Sequence, residues 1–156
     1  MKQFPLAWFL TFHPYGLWLP GDRRGWTDRR TVRRGIIRMP SMPGLEAHAR
    51  AIMREAPLRL DDEMQRIVRA TIAEVTAFRS WPLHALSVQA DHLHVVCSAA
   101  TPGAAVRATL KAWATRRLRE AGLVAEDRTV WAVGGSVRYV FEREGLARVI
   151  AYVAKQ

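Results

Sequence analysis

The chain has 156 residues, 49% of them hydrophobic, which suits one domain with a core of its own and leaves little room for a second. Its 24 basic against 14 acidic residues give a formal net charge of +10, and all but Lys2, Lys111 and Lys155 of the basic residues are arginine; such a field of flat, phosphate-matching forks makes nucleic acid the leading partner. A lone cysteine, Cys97, excludes an intramolecular disulfide and a multi-cysteine zinc site, and no run of about eighteen apolar residues, signal-peptide pattern or basic amphipathic helix points to a membrane, so a cytoplasmic protein is expected.

In chain order, Leu6 to His13 reads as a first strand with Leu6, Trp8, Leu10 and Phe12 on one face. Residues 14 to 50 form a basic loop broken by Gly and Pro, in which the pairs Arg23-Arg24, Arg29-Arg30 and Arg33-Arg34 are interleaved with Trp18 and Trp26. A loop of that length either binds something or is a solvated insert; arginines for phosphates and tryptophans for bases suit a nucleic-acid strand. Asp61 and Asp62 cap a helix running to about Arg79, with Met64, Ile67, Val68, Ile72, Val75 and Phe78 as its core stripe. Residues 81 to 90 and 92 to 100 then make a hairpin around Ala90-Asp91.

Thr101 and Pro102 open a second helix that runs to Ala121 and stops at Gly122, with Val106, Leu110, Trp113 and Leu118 inward and Lys111, Arg116, Arg117 and Arg119 outward. A fourth strand is expected over Thr129 to Val133. After it come a turn at Gly134-Gly135-Ser136, a short extended piece over 138 to 141 and a last helix from about Glu142. The order β-α-β-β-α-β-α predicts an α+β fold of the ferredoxin-like split βαβ type: an antiparallel sheet with two helices on one face and an extra C-terminal helix.

Two positions apart on a strand, His92 and His94 project to the same face, while Leu93, Val95 and Cys97 project to the core. The helices of such a sheet pack on one face, so the histidines are expected on the open one. Two imidazoles that converge can hold a divalent cation, although paired strand histidines are more often surface or hydrogen-bonded residues. On the last helix Leu146, Val149, Ile150 and Val153 make a packing face, and Arg148, Tyr152 and Gln156 at i, i+4 and i+8 make an adjoining stripe. His13, His48 and His84 have no partner at ligand spacing and read as bystanders, although His13 and His84 lie on strands that can bring them to the same face.

TFHPYGLWLPGDRRGW after the first strand, ADHLHVV at the histidine pair and VWAVGGSVRYVFEREGLARVIAYVAKQ at the end resemble the His-hydrophobic-His (HUH) single-tyrosine transposases of insertion sequences, and among them the REP-associated tyrosine transposases. The resemblance spans nearly the whole chain. It implies that His92 and His94 bind Mg²⁺ or Mn²⁺ with the amide oxygen of Gln156 as third ligand, and that Tyr152 attacks single-stranded or hairpin DNA to give a covalent 5′-phosphotyrosine. A phenol with a pKa near 10 is a poor nucleophile at pH 7, and attack on a phosphodiester needs its charge neutralised, so a metal beside the tyrosine is chemically apt. DNA contacts are expected from Arg23, Arg24, Arg29, Arg30, Arg33, Arg34, Trp18, Trp26, Lys111 and Arg148. Ala90-Asp91 stands where many relatives have Pro-Asn. Monomer and homodimer both stay open, and the alternative function is a non-catalytic nucleic-acid-binding module on the same scaffold.

Overall fold

A computed structural model describes residues 3–28 and 38–156, and in it the alternation of β1 (Ala7–Phe12) decides the layering. Trp8, Leu10 and Phe12 point to one face and Ala7 and Phe9 to the other. Leu6, expected to start the strand, lies outside it and is exposed. β1 pairs on one side with β3 (Leu93–Cys97) and on the other with β4 (Ser136–Val140), and β3 pairs with β2 (Leu83–Val88). The resulting order β2-β3-β1-β4, antiparallel throughout, is the ferredoxin-like arrangement the sequence predicts.

Four helices accompany the sheet: α1 (Pro43–Ala51), α2 (Asp62–Phe78), α3 (Gly103–Glu120) and α4 (Arg143–Ala154). The Asp61 carboxylate caps α2 by accepting from the Met64 amide at 2.9 Å. Met64, Val68, Ile72 and Val75 of α2 and Val106, Leu110, Ala114 and Leu118 of α3 seal the face that carries Trp8, Leu10, Phe12, Leu93, Val95 and Cys97. Burying each large aliphatic side chain there is worth roughly 1.5–3 kcal/mol. The close approach of α3 depends on Gly103, where a Cβ would come within 2.5 Å of Val137 and 2.7 Å of the Trp8 ring.

Several expectations need correcting. The fourth strand is Ser136–Val140, not Thr129 to Val133; Val130 and Trp131 are both buried side by side, and only Trp131 makes an isolated bridge, to Pro14. Consecutive buried residues serve a loop pressed on the core, not a pleat. The basic loop of residues 14 to 50 contains α1 at its end, where Pro43 starts a helix. Phe78, expected in the core stripe, is the last residue of α2 and is 82% exposed. The histidine face is not open: α4 lies across it, and Val153, Leu146 and Val149 join Ala7, Phe9, Val96 and Val140 in a second apolar cluster that Ile150 does not enter. Among the described residues no helix is long and apolar enough to cross a membrane.

Candidate functional site

Because β3 continues the alternation, His94 leaves the sheet on the α4 side, opposite its register partner Thr11. His92 sits one residue before the strand, and the two imidazole centroids are 4.9 Å apart. Each ring is oriented through its Nδ1. The Asp91 carboxylate lies 2.7 Å from His92 Nδ1 and accepts a hydrogen bond from it, and Thr11 Oγ1 lies 2.8 Å from His94 Nδ1. Among the described residues neither Nε2 has a hydrogen-bond partner. In the tautomer that donates from Nδ1, Nε2 keeps a lone pair for a cation, the usual division of labour in metal-binding histidines.

Electrostatics favour that state. His94 is buried, and burial first, then the neighbouring His92, His13 and Arg138, push its pKa down to about 4. At neutral pH its ring is therefore uncharged and able to coordinate. Burial would raise the Asp91 carboxyl, but the hydrogen bond and charge of His92 and the charge of Arg59 outweigh it and hold it below its ordinary value. Asp91 stays ionised as the orienting anion.

From α4, Tyr152 reaches back over the same face. Its ring centroid is 5.7 Å from His94 and 6.1 Å from Phe9, which itself lies 5.3 Å from His94. Tyr152 is half exposed, so a ligand can approach it from solvent. Gln156 follows the last turn of α4; its backbone amide donates to the Val153 carbonyl, and its side chain is exposed, with no hydrogen bond among the described residues. The structure thus brings Tyr152, His94 and His92 together and leaves the Gln156 amide on the surface.

One neighbour was set aside in the sequence. The His13 ring lies 6.5 Å from His92, and its Nδ1 is 3.1 Å from the Asp91 carbonyl. The signal was present: Phe9, Thr11 and His13 continue one face of β1 at period 2. Burial lowers the His13 pKa, as do the charges of His92 and Arg24, against the pull of the Asp91 carbonyl. Even so, no group of three or more His, Cys, Asp or Glu among the described residues is arranged to hold a metal, so a cation on His92 and His94 needs a ligand of another kind. His84 bonds Ser98 through Nε2 at 2.7 Å and His48 is exposed on α1; neither makes a ring contact with the cluster.

The described residues expected to contact DNA fall into three groups. Arg24 is fully engaged, donating from Nε and Nη2 to Asp22 at 2.9 and 2.7 Å while its guanidinium lies 4.1 Å over Trp18. Trp18 donates to the Gly25 carbonyl and packs 4.6 Å from His13, which makes the first part of the basic loop a folded clasp against the histidines. Trp26 donates to the Pro40 carbonyl, Arg23 is exposed, and Arg148 is exposed 3.9 Å from Glu144. Lys111, expected to face outward, turns inward: its ammonium donates to the carbonyls of Ala132 and Gly134, and burial, then the Arg107 charge, lowers its pKa to about 8. Arg29, Arg30, Arg33 and Arg34 lie outside the described residues.

Two solved structures share this architecture. A REP-associated tyrosine transposase bound to a REP hairpin aligns over 98% of this chain and 68% of its own, with a TM-score of 0.53 and 11% identity. A Deinococcus radiodurans R1 protein assigned by name as a transposase aligns over 100% of this chain and 98% of its own, with a TM-score of 0.51 and 15% identity. At such identities the likeness is one of fold. No protein-family model and no curated protein matches the chain.

Proposed function

We propose that this chain is a cytoplasmic, metal-dependent single-stranded DNA endonuclease and strand transferase, a transposase that works through a covalent 5′-phosphotyrosine on Tyr152. The observation that carries the reading is the convergence of a half-exposed tyrosine with two histidines whose Nε2 atoms are free: Tyr152 lies 5.7 Å from His94, and His94 4.9 Å from His92. The two fold neighbours, one of them bound to a REP hairpin, support it.

In this reading Tyr152 Oη attacks the phosphorus. The Oη–P bond forms, the P–O3′ bond breaks, and the phenolic proton passes to solvent. Phosphotyrosine retains the bond energy, so a different 3′-hydroxyl can reverse the step and join a new strand. His92 and His94, with the Gln156 amide oxygen swung in from the surface as the further ligand, would hold Mg²⁺ or Mn²⁺, and the ion would supply Lewis-acid neutralisation of the phosphodiester's charge. Asp91 and Thr11 hold the two rings in place, and the clasp of Trp18 and Arg24 borders the His13 end of the site. The natural substrate is single-stranded or hairpin DNA, because a flexible strand can bring one phosphate to the sheet face and to α4 together.

The test is incubation with hairpin-bearing single-stranded DNA from the flanks of its own gene, with Mg²⁺ or Mn²⁺, followed by a denaturing gel. A protein–DNA adduct in wild type that is lost in Tyr152→Phe is expected. DNA bound without any adduct favours the non-catalytic binding module instead.

A further inference from the structure

β4 carries an arginine whose position the metal and tyrosine reading does not use. In the register of β1 and β4, Arg138 stands opposite Phe9 and Ser136 opposite Thr11. Across the other side of β1, Thr11 pairs with His94 and Phe9 with Val96. Paired residues of antiparallel strands point to the same face, with Cβ atoms about 4.5–5.5 Å apart. Two adjacent rows therefore cross this face, His94-Thr11-Ser136 and Val96-Phe9-Arg138, with Tyr152 of α4 over Phe9 and His94.

Three features set Arg138 apart. It is exposed, on the last strand of the sheet, so a strand of DNA can reach it from solvent. Among the described residues its guanidinium makes no hydrogen bond or ion pair, in contrast to Arg24, Arg117 and Arg128, which are committed to Asp22, Glu74 and Glu55. Its row, through Phe9, lies next to the row that holds His94 and Thr11 on the same face of the sheet. An unneutralised planar fork beside a nucleophile and a pair of candidate metal ligands is the arrangement that receives an anionic phosphodiester with two parallel hydrogen bonds.

We infer that Arg138 is a catalytic residue whose guanidinium binds a non-bridging oxygen of the scissile phosphate between Tyr152 and His94. The inference rests on the strand-transfer reading and deepens it. As the Oη–P bond forms and the P–O3′ bond breaks, charge builds on the phosphoryl oxygens, and a fixed guanidinium stabilises that charge more than it stabilises the ground state.

The experiment measures single-turnover adduct formation at saturating hairpin DNA, together with DNA affinity, for wild type, Arg138→Ala, Arg138→Lys and a control, Arg66→Ala, whose side chain pairs with Glu63 on α2 in the opposite layer. Arg138→Ala is expected to slow the adduct step by about 10²-fold, the scale on which a lost transition-state donor acts, with affinity within about threefold of wild type. Arg138→Lys should recover part of the rate and Arg66→Ala should match wild type. The decisive arm replaces the scissile phosphate by each methylphosphonate diastereomer. With one charged oxygen removed, the wild-type advantage over Arg138→Ala should shrink to a few-fold for at least one isomer. An unchanged rate in Arg138→Ala, a defect confined to affinity, or an equal defect on phosphate and both methylphosphonates overturns the inference and leaves the tyrosine reading standing. Absence of adduct in wild type overturns both.

Discussion

β1 and β3 supply both faces of the sheet from alternating residues, and the two faces have become different materials. On one, Trp8, Leu10, Phe12, Leu93, Val95 and Cys97 are sealed beneath two helices of 17 and 18 residues. On the other, a single helix of 12 residues covers Phe9 and His94 and leaves Tyr152 half exposed, while His13 packs against Trp18. Exclusion of water makes the first face a source of stability. Partial cover makes the second a place where imidazoles are desolvated enough to stay neutral yet remain reachable. A change of one position along either strand should therefore switch its consequence from stability to chemistry.

The comparison breaks most sharply at Tyr152. Tyr152→Phe should lower adduct formation by at least about 10³-fold, since it removes the proposed nucleophile, while the urea midpoint stays close to wild type because the side chain is half exposed; an adduct that persists in a denaturing gel removes Tyr152 from the mechanism. On the sealed face, Leu10→Ala should cost about 2–5 kcal/mol in urea unfolding, whereas its neighbour Thr11→Ala should cost about 1 kcal/mol and act on His94 instead. Equal costs at the two positions would deny the division between the faces.

The polar face can be sharpened through its orienting groups. Asp91→Asn should weaken Mn²⁺ binding by about 10–100-fold, read by calorimetric titration, with little change in thermal midpoint, because it withdraws the anion that sets the His92 tautomer. His92→Ala and His94→Ala should each abolish metal-dependent cleavage, and full activity in excess chelator would remove the metal from the reading.

On the sealed side, Lys111 gives a pH signature. Its pKa is about 8 in the folded chain against an ordinary 10.5, so between those values the unfolded chain holds a proton that the folded chain has released. Stability should rise with pH across that window, by about 1–2 kcal/mol between pH 7.5 and 9.5, and the rise should be missing in Lys111→Met. The smallest effect is expected at the rim. Arg23→Ala should reduce the log–log salt slope of single-strand binding by about 0.7, one phosphate contact, without altering sequence preference.

How much of this was legible depends on the length scale of each signal. Strand alternation placed Leu93, Val95 and Cys97 in the core and His92 with His94 opposite, and helical spacing placed Tyr152 on a stripe beside the packing residues Leu146, Val149 and Val153. For His13, period-2 spacing along β1 gives the face, but its nearness to His92 is set only by the β1–β3 pairing, which local spacing does not encode. Lys111 was misread because a polar residue on the outer arc of a helix looks solvated until a loop, here Ala132 to Gly134, folds over it.

The sequence by itself determined the periodicities: which residues alternate in β1 and β3, where Asp61 starts α2, and that one face of the hairpin would carry two histidines. Those are properties of neighbouring residues and follow from backbone geometry. Only the tertiary structure decided that Ser136–Val140, not the Thr129 to Val133 segment, completes the sheet, that α4 folds across the histidine face, and that Arg138 shares it. Strand partnership is a long-range competition, won here by the segment whose register lets Val140 join Ala7 and Phe9 while Val130 and Trp131 fill the other layer. No local pattern encodes that outcome, because each candidate strand satisfies its own alternation before the chain closes on itself.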